Sequence, residues 1–177
     1  MACTVTLADI NYTCDDLGVG GIVELHIANR LSAEAALQYD TDTRVVSAAS
    51  AAISDVVNIG FNLKDGFSVF SEVKTVNADG TTTTVPTISV ELPKMDADKI
   101  TALNQIAKGG AELVALVKTA AGTYHVSGLD YGLYASTVDG NSGTGRGEKN
   151  RFQLTLTGEE NGLSYSITET LFATATA

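Results

Sequence analysis

Apolar and polar residues alternate most regularly near the end of the chain. Over Arg151–Thr157, Phe152, Leu154 and Leu156 share one face, and Gln153, Thr155 and Thr157 the other. Over Gly162–Thr168, Leu163, Tyr165 and Ile167 alternate with Ser164, Ser166 and Thr168. A period of two predicts strands with one buried and one wetter face. The segment between them, Gly158–Gly162, is polar and ends in Asn-Gly, which adopts positive φ cheaply. The pair is therefore predicted to form a hairpin.

The same period recurs upstream. Val5 and Leu7 alternate with Thr4, Thr6 and Ala8. Ile22–Ala28 predicts a strand with Val23, Leu25 and Ile27 on the core face, leaving Ile22, Glu24 and His26 on the wetter one. Phe67–Val76 and Thr81–Leu92 flank an Asp79-Gly80 turn, a strong hairpin signal. Ile88, Val90 and Leu92 share a face of its second arm. The first arm is apolar on both faces, with Phe67, Val69 and Val73 on one and Phe70 and Val76 on the other. Both faces therefore want cover, from the chain or from a partner. Pro86 cannot donate a ladder hydrogen bond, which predicts an edge or a bulge there. Shorter strands are predicted from Val56, over Glu112–Lys118, over Tyr124–Ser127 and over Leu129–Ser136.

Helical signals are fewer. Ser32–Leu37 reads as a short helix with Ser32 as N-cap. Arg44–Ile53, rich in Ala, Ser and Val, reads as a strand or an irregular connection. One helix is clear: Asp96 caps it, Ile100, Leu103, Ile106 and Ala107 form its apolar stripe, and Gly109-Gly110 ends it. The predicted fold is mainly β, a single domain over residues 1–177. It is an antiparallel β-sandwich or barrel with one flanking helix (residues 96–108) and a long central hairpin (residues 67–92).

Composition narrows the function classes. Hydrophobic residues make up 44% of the 177 residues, enough for a folded core. The net charge is −10 with no run of like charge, so no basic surface for nucleic-acid phosphates is expected. No stretch approaches the ~18 apolar residues of a membrane span. Met1–Ile10 lacks the basic and apolar regions of a secretory signal, so synthesis in the cytoplasm is expected. Cys3 and Cys14 lack CxxC spacing, and His26 and His125 are far apart, so no metal or cofactor is expected. The two thiols read as reduced, with a disulfide as the alternative.

Candidate chemistry is thin. Asp139–Glu148 carries glycine at every second or third place, and Gly143–Gly147 resembles a phosphate loop. It lacks the GxxxxGKS/T pattern and precedes a strand, so no helix N-terminus would receive an anion. It is read as a mobile loop that a neighbouring subunit orders. Asp96 and Asp98 lack calcium-loop spacing. Glu159 and Glu160 read as an exposed turn pair, His26 as structural, and no GxSxG elbow is present. An enzyme is not expected.

The order of these elements resembles the tail tube proteins of long-tailed bacteriophages and the related tubes of contractile injection systems. The order is a β-rich domain, a long hairpin with an Asp-Gly turn, a flanking helix within Met95–Gly110, then further strands. The segments Cys14–Ile22, Val126–Leu133 and Asn150–Glu159 are similar in texture to virion proteins of such phages. The resemblance covers most of the chain. It implies hexameric rings that stack into a hollow tube, with the subunit sheets joined into a continuous inner barrel. It also implies a place in the phage tail, other tail proteins as partners, and DNA that passes without specific binding. The expected subunit-interface residues are Phe67, Phe70, Val73, Val76, Asp79, Gly80, Ile88, Gly143 and Arg146. Asn29–Asp55 or Asp139–Lys149 would be the stacking arm. Dispersed acidity suits such a conduit, because like charge keeps phosphate from sticking. Two other readings stand beside it. One is a head–tail connector or capsid decoration protein. The other is a ligand-binding β-sandwich, with Tyr131 and Tyr134 as its stacking pair in a chain that is 6% aromatic and has no Trp.

Overall fold

The computed structural model describes residues 20–60, 68–145 and 148–177. The expected strand at Val5 and Leu7, the thiols Cys3 and Cys14, and the side chains of Phe67 and Arg146 lie outside the described residues. In chain order the elements are β1 (Ile22–Asn29), α1 (Arg30–Ala36), β2 (Leu37–Asp40), β3 (Val45–Ala49), β4 (Val57–Asn58), β5 (Ser68–Val76), β6 (Thr82–Pro93), α2 (Ala97–Ile106), β7 (Leu113–Thr119), β8 (Tyr124–Ser127), β9 (Leu133–Asn141), β10 (Arg151–Gly158), β11 (Tyr165–Ser166) and α3 (Glu169–Ala175). The protein is mainly β, as its periodicity predicts. It has three helices among the described residues; α1 and α2 fall near the two predicted segments and α3 was not expected, and β3 pairs β11 in parallel, so the sheet is mixed.

The long hairpin forms where Asp79-Gly80 predicts it. β5 and β6 pair from Ser68↔Val90 to Val76↔Thr82. Asn77 N donates to Thr81 O at 2.8 Å, the Asp79 carboxylate accepts from Thr81 N, and Gly80 sits at φ +85°. β6 then pairs β10, and β10 pairs β9, giving an antiparallel wall in the order β9-β10-β6-β5. Cross-strand partners share a face. The pairs Leu154↔Val90 and Leu156↔Ile88 therefore face inward together, and all are buried. The other face carries Thr87, Ser89, Gln153, Thr155, Thr157 and Thr137. Pro86 behaves as expected: the β6–β10 ladder stops at Thr87↔Thr157, and the same register resumes only as a single bridge at Thr84↔Glu160.

β1 and β7 pair antiparallel and are apolar on both faces, because both faces are covered. Leu25, Ile27, Leu113, Ala115 and Val117 close a first core against the wall and α2. Ala28, Val114 and Leu116 line a second core, closed by Ala33 of α1 and by Phe172 and Ala175 of α3. Each Leu or Ile so buried contributes about 1.5–3 kcal/mol. The wall folds over β1–β7 where β9 leaves β7 after the single pair Leu113↔Leu133. Backbones nearly touch at this fold. A Cβ on Gly128 (φ +97°) would lie 2.5 Å from Leu113 O, and one on Gly158 would lie 2.6 Å from Gly132 O.

Several expectations are corrected. The C-terminal hairpin does not form. Both edges of β10 are taken, by β6 and β9, so the chain after Gly158 finds another partner. It contributes only the short β11, which pairs β8 and β3, and Leu163 is exposed. Thr168 then caps α3, its Oγ1 accepting from Leu171 N. His26 is buried, not on a wetter face, because Phe172 packs edge-on against its ring. α1 begins at Arg30 rather than after Ser32, since Arg30 N donates to Glu112 O and its guanidinium pairs with Glu34 and Glu112. The predicted strand from Leu129 starts at Leu133, and Leu129 is buried in the second core. In α2, Asp96 accepts from Lys99 N as expected, but Ile100 is exposed. Within Arg44–Ile53 the strand is β3 (Val45–Ala49) and the rest is irregular, and the strand predicted from Val56 is only β4.

Candidate assembly surface and polar hub

The wall ends at β5 on one side, since β5 pairs with β6 alone. Its other side is β9, which beyond Leu133 pairs with β10 alone. Among the described residues both edges of the wall are open. The hydrogen-bond phase at β5 follows from the Thr84–Glu160 bridge. Thr84 N and O both engage Glu160, so they point away from β5. Thr84↔Lys74 is then a non-hydrogen-bonded pair, and the N–H and C=O of Lys74, Glu72 and Val76 point outward from the edge.

The expected interface residues divide on this frame. Val73 is 61% exposed on the wall's outer face beside Val85, and Val76 is 69% exposed beyond the first core. Asp79 and Gly80 form the exposed hairpin tip. Phe70 is half-buried against the first core, with its ring 5.6 Å from that of His125. Ile88 is covered by the chain's own core and offers no surface to a neighbour. Gly143 sits at φ +76°, where a Cβ would lie 2.8 Å from Glu148 Cβ. The segment read as a mobile loop has structure of its own. Asp139–Asn141 belong to β9, and the Glu148 carboxylate accepts from Thr144 N and Oγ1. Phe67 and Arg146 lie outside the described residues. Tyr131 and Tyr134 are both exposed, and the Tyr131 hydroxyl donates to Asn161 Oδ1.

A buried polar hub lies beside Thr84, on the inner side of the hairpin toward its tip. Of the residues that build it only Tyr165 carried a sequence signal, through its alternation, and Glu160, read as an exposed turn residue, is 2% exposed. Arg44 reaches in from the turn before β3, with φ +55°. Its guanidinium lies 3.8 Å from the Tyr165 ring centroid. It donates to Asp130 Oδ2 at 2.7 Å, Tyr165 Oη at 2.9 Å, Leu163 O at 2.6 Å and Gly162 O at 3.0 Å, and more weakly to Glu160 Oε2 at 3.4 Å. Tyr165 Oη donates to Asp130 Oδ1 at 2.6 Å, and Asn161 N to Asp130 Oδ2 at 3.0 Å. Burial raises the Asp130 carboxyl, but these donors outweigh it and hold the group below its ordinary value. Glu160 differs. Burial first, then the Asp130 carboxylate, push it up to about 7. Its Oε1 has no partner, nor does Thr84 Oγ1, which is also buried.

Beside the hub, Ser164 Oγ contacts Glu72 Oε2 at 3.0 Å and His125 Nδ1 at 3.2 Å. These are the residue types of a hydrolytic triad in the wrong order. The hydroxyl lies between acid and imidazole, whereas catalysis needs the imidazole between hydroxyl and acid. His125 Nε2 instead meets Thr123 Oγ1. Ser164 N also donates to Glu72 Oε1 at 2.6 Å, so the group works as a clamp between β5, β8 and the segment before β11. Among the described residues no group of His, Cys, Asp and Glu is placed to hold a metal ion. None of the described helices is long and apolar enough to cross a membrane. A cleft of about 340 Å³ between α2 and β4 is lined mainly by apolar residues, Val57, Ile59, Ala102 and Leu103 among them. Comparison with protein-family models, with curated proteins and with solved structures found no match.

Proposed function

We propose that the chain is a structural subunit that assembles with copies of itself into stacked rings, forming the tube of a phage tail through which DNA passes. The observation that carries this reading is the four-stranded wall with both edges open. One face of the wall is packed on the core; the other carries hydroxyl and amide side chains over β6, β10 and β9, with Val69, Val73 and Val85 toward the β5 edge. An open edge with outward-pointing N–H and C=O groups is a template for another strand. Pairing the β5 edge of one copy with the β9 edge of the next is a head-to-tail contact, which generates a ring where the rotation between copies closes and an open filament where it does not. In the ring the wall faces join into a barrel with no free edge. Its lining would be rich in Thr, Ser and Gln. Glu91 on that face is paired with Arg151 and Lys149. Neutral hydroxyls on an acidic subunit, with these two cations held by Glu91, give passing phosphates little to grip. A hexameric count and a tail location rest on the resemblance alone.

The test is negative-stain microscopy of the purified protein at rising concentration, with and without preformed tubes as seeds. Tubes of uniform width are expected. Monomers under every condition would overturn the reading, and single rings that never stack would favour a connector.

A further inference from the structure

We propose that the Glu160 carboxyl is a proton-operated latch on the long hairpin: protonated, it holds the segment after β10 closed against β6 at Thr84, and ionised, it lets that contact open. The hub holds one guanidinium, Arg44, and two carboxylates, Asp130 and Glu160, with side chains 17%, 5% and 1% exposed. Burying two negative charges against one positive leaves an uncompensated ion, so one carboxyl keeps its proton. Hydrogen bonding selects which. Asp130 receives Arg44, Tyr165 and Asn161 N at 3.0 Å or less. Glu160 Oε2 receives only the long contact from Arg44 and Asp130 N at 3.3 Å, and its Oε1 receives nothing. The proton therefore belongs to Glu160.

Position makes that proton consequential. Pro86 interrupts the β6–β10 ladder, so distal to it the hairpin is tied to the body at few places. Among the described residues these are the two backbone bonds between Thr84 and Glu160, at 3.0 and 2.8 Å, and the Glu72–Ser164 clamp, with Thr157 Oγ1 donating to O of Pro86 itself at 3.1 Å. The backbone bonds share a residue with the titrating carboxyl. The groups facing it are Arg44 from the turn before β3, Asp130 from the turn after β8, and Tyr165 from β11, with Tyr39 of β2 behind Tyr165. On the hairpin side Thr84 is uncharged and its β5 neighbour is Lys74, while Glu72 and His125 are engaged by Ser164. The sign follows from the raised value in the closed state. Closure is complete below the ordinary carboxyl range, weakens as pH rises toward about 7, and is constant above it.

This latch goes beyond the assembly reading and is tested on the free subunit. Hydrogen–deuterium exchange of the intact chain is followed in peptides spanning Thr82–Val85 and Glu159–Leu163, from about pH 5 to about pH 8, corrected for intrinsic chemistry. Protection should fall by up to ~10-fold per pH unit to near neutrality and then level off, and Glu160→Gln should make the profile flat. A flat native profile, or the same fall in the variant, overturns the latch. A carbon-13 NMR titration of Glu160 in the native chain decides the matter if the variant does not fold. A midpoint near 7 supports the latch, and one near the ordinary ~4.3 overturns it.

Discussion

At the scale of single residues, Arg44 joins parts of the chain that no local pattern connects. Its guanidinium contacts residues more than eighty positions away, in the turn after β8 and in the segment before β11. It does so from a left-handed backbone conformation that an arginine rarely takes, so its contacts must outweigh that strain. Arg44→Ala leaves Asp130 ionised, buried and short of its main donor. The expected loss is about 3–5 kcal/mol in urea unfolding. Arg44→Lys should recover little, because an ammonium cannot span Asp130 and two carbonyls with the planar fork of a guanidinium. A near-native midpoint for either variant would mean that the hub is not a stabilising unit. None of this was legible in the sequence. Glu160 sits in a polar turn beside Asn161 and Gly162, and its burial depends on Thr84, Arg44 and Asp130, each from a different element.

At the scale of elements, what could be read was the residue pattern, and what could not was the choice of partner. The alternation in Arg151–Thr157 gave β10 its two faces correctly, and Asp79-Gly80 located the long hairpin. The equally regular run from Leu163 to Ile167 placed Tyr165 and Ile167 on a buried face correctly but not its partner, because alternation does not say whether a neighbouring edge is free. β9 makes the same point with glycine. Gly140 reads as loop, yet it lies opposite Phe152 in a ladder, where a Cβ would meet Phe152 Cε1 at 2.8 Å and Met95 Cε at 3.0 Å. The Met end can move, but the ring cannot without disturbing the core. Gly140→Ala should therefore cost about 1–3 kcal/mol in chemical denaturation. Gly145 has nothing within 4 Å of its would-be Cβ and no positive φ. Its replacement by Ala should stay within about 0.5 kcal/mol of the native protein. Equal costs at the two positions would return Gly140 to the loop.

At the scale of the whole molecule, the chain packs two cores and yet, among the described residues, leaves both edges of its largest antiparallel unit open. Both cores are built from residues of one copy, so a substitution at the wall's edge can be chosen that touches neither. Lys74 is suited to this. It is exposed, and its N–H points out of the β5 edge, so proline there removes no bond from the β5–β6 ladder. Proline on an edge blocks the approach of another strand. Lys74→Pro should fold with a stability within about 1 kcal/mol of native and should not form tubes. Lys74→Thr removes the same charge but keeps the N–H, and should assemble. If the proline variant assembled as the native chain does, the β5 edge would not be the joint between copies. If both variants failed, the lysine charge rather than the strand edge would be what the neighbour recognises.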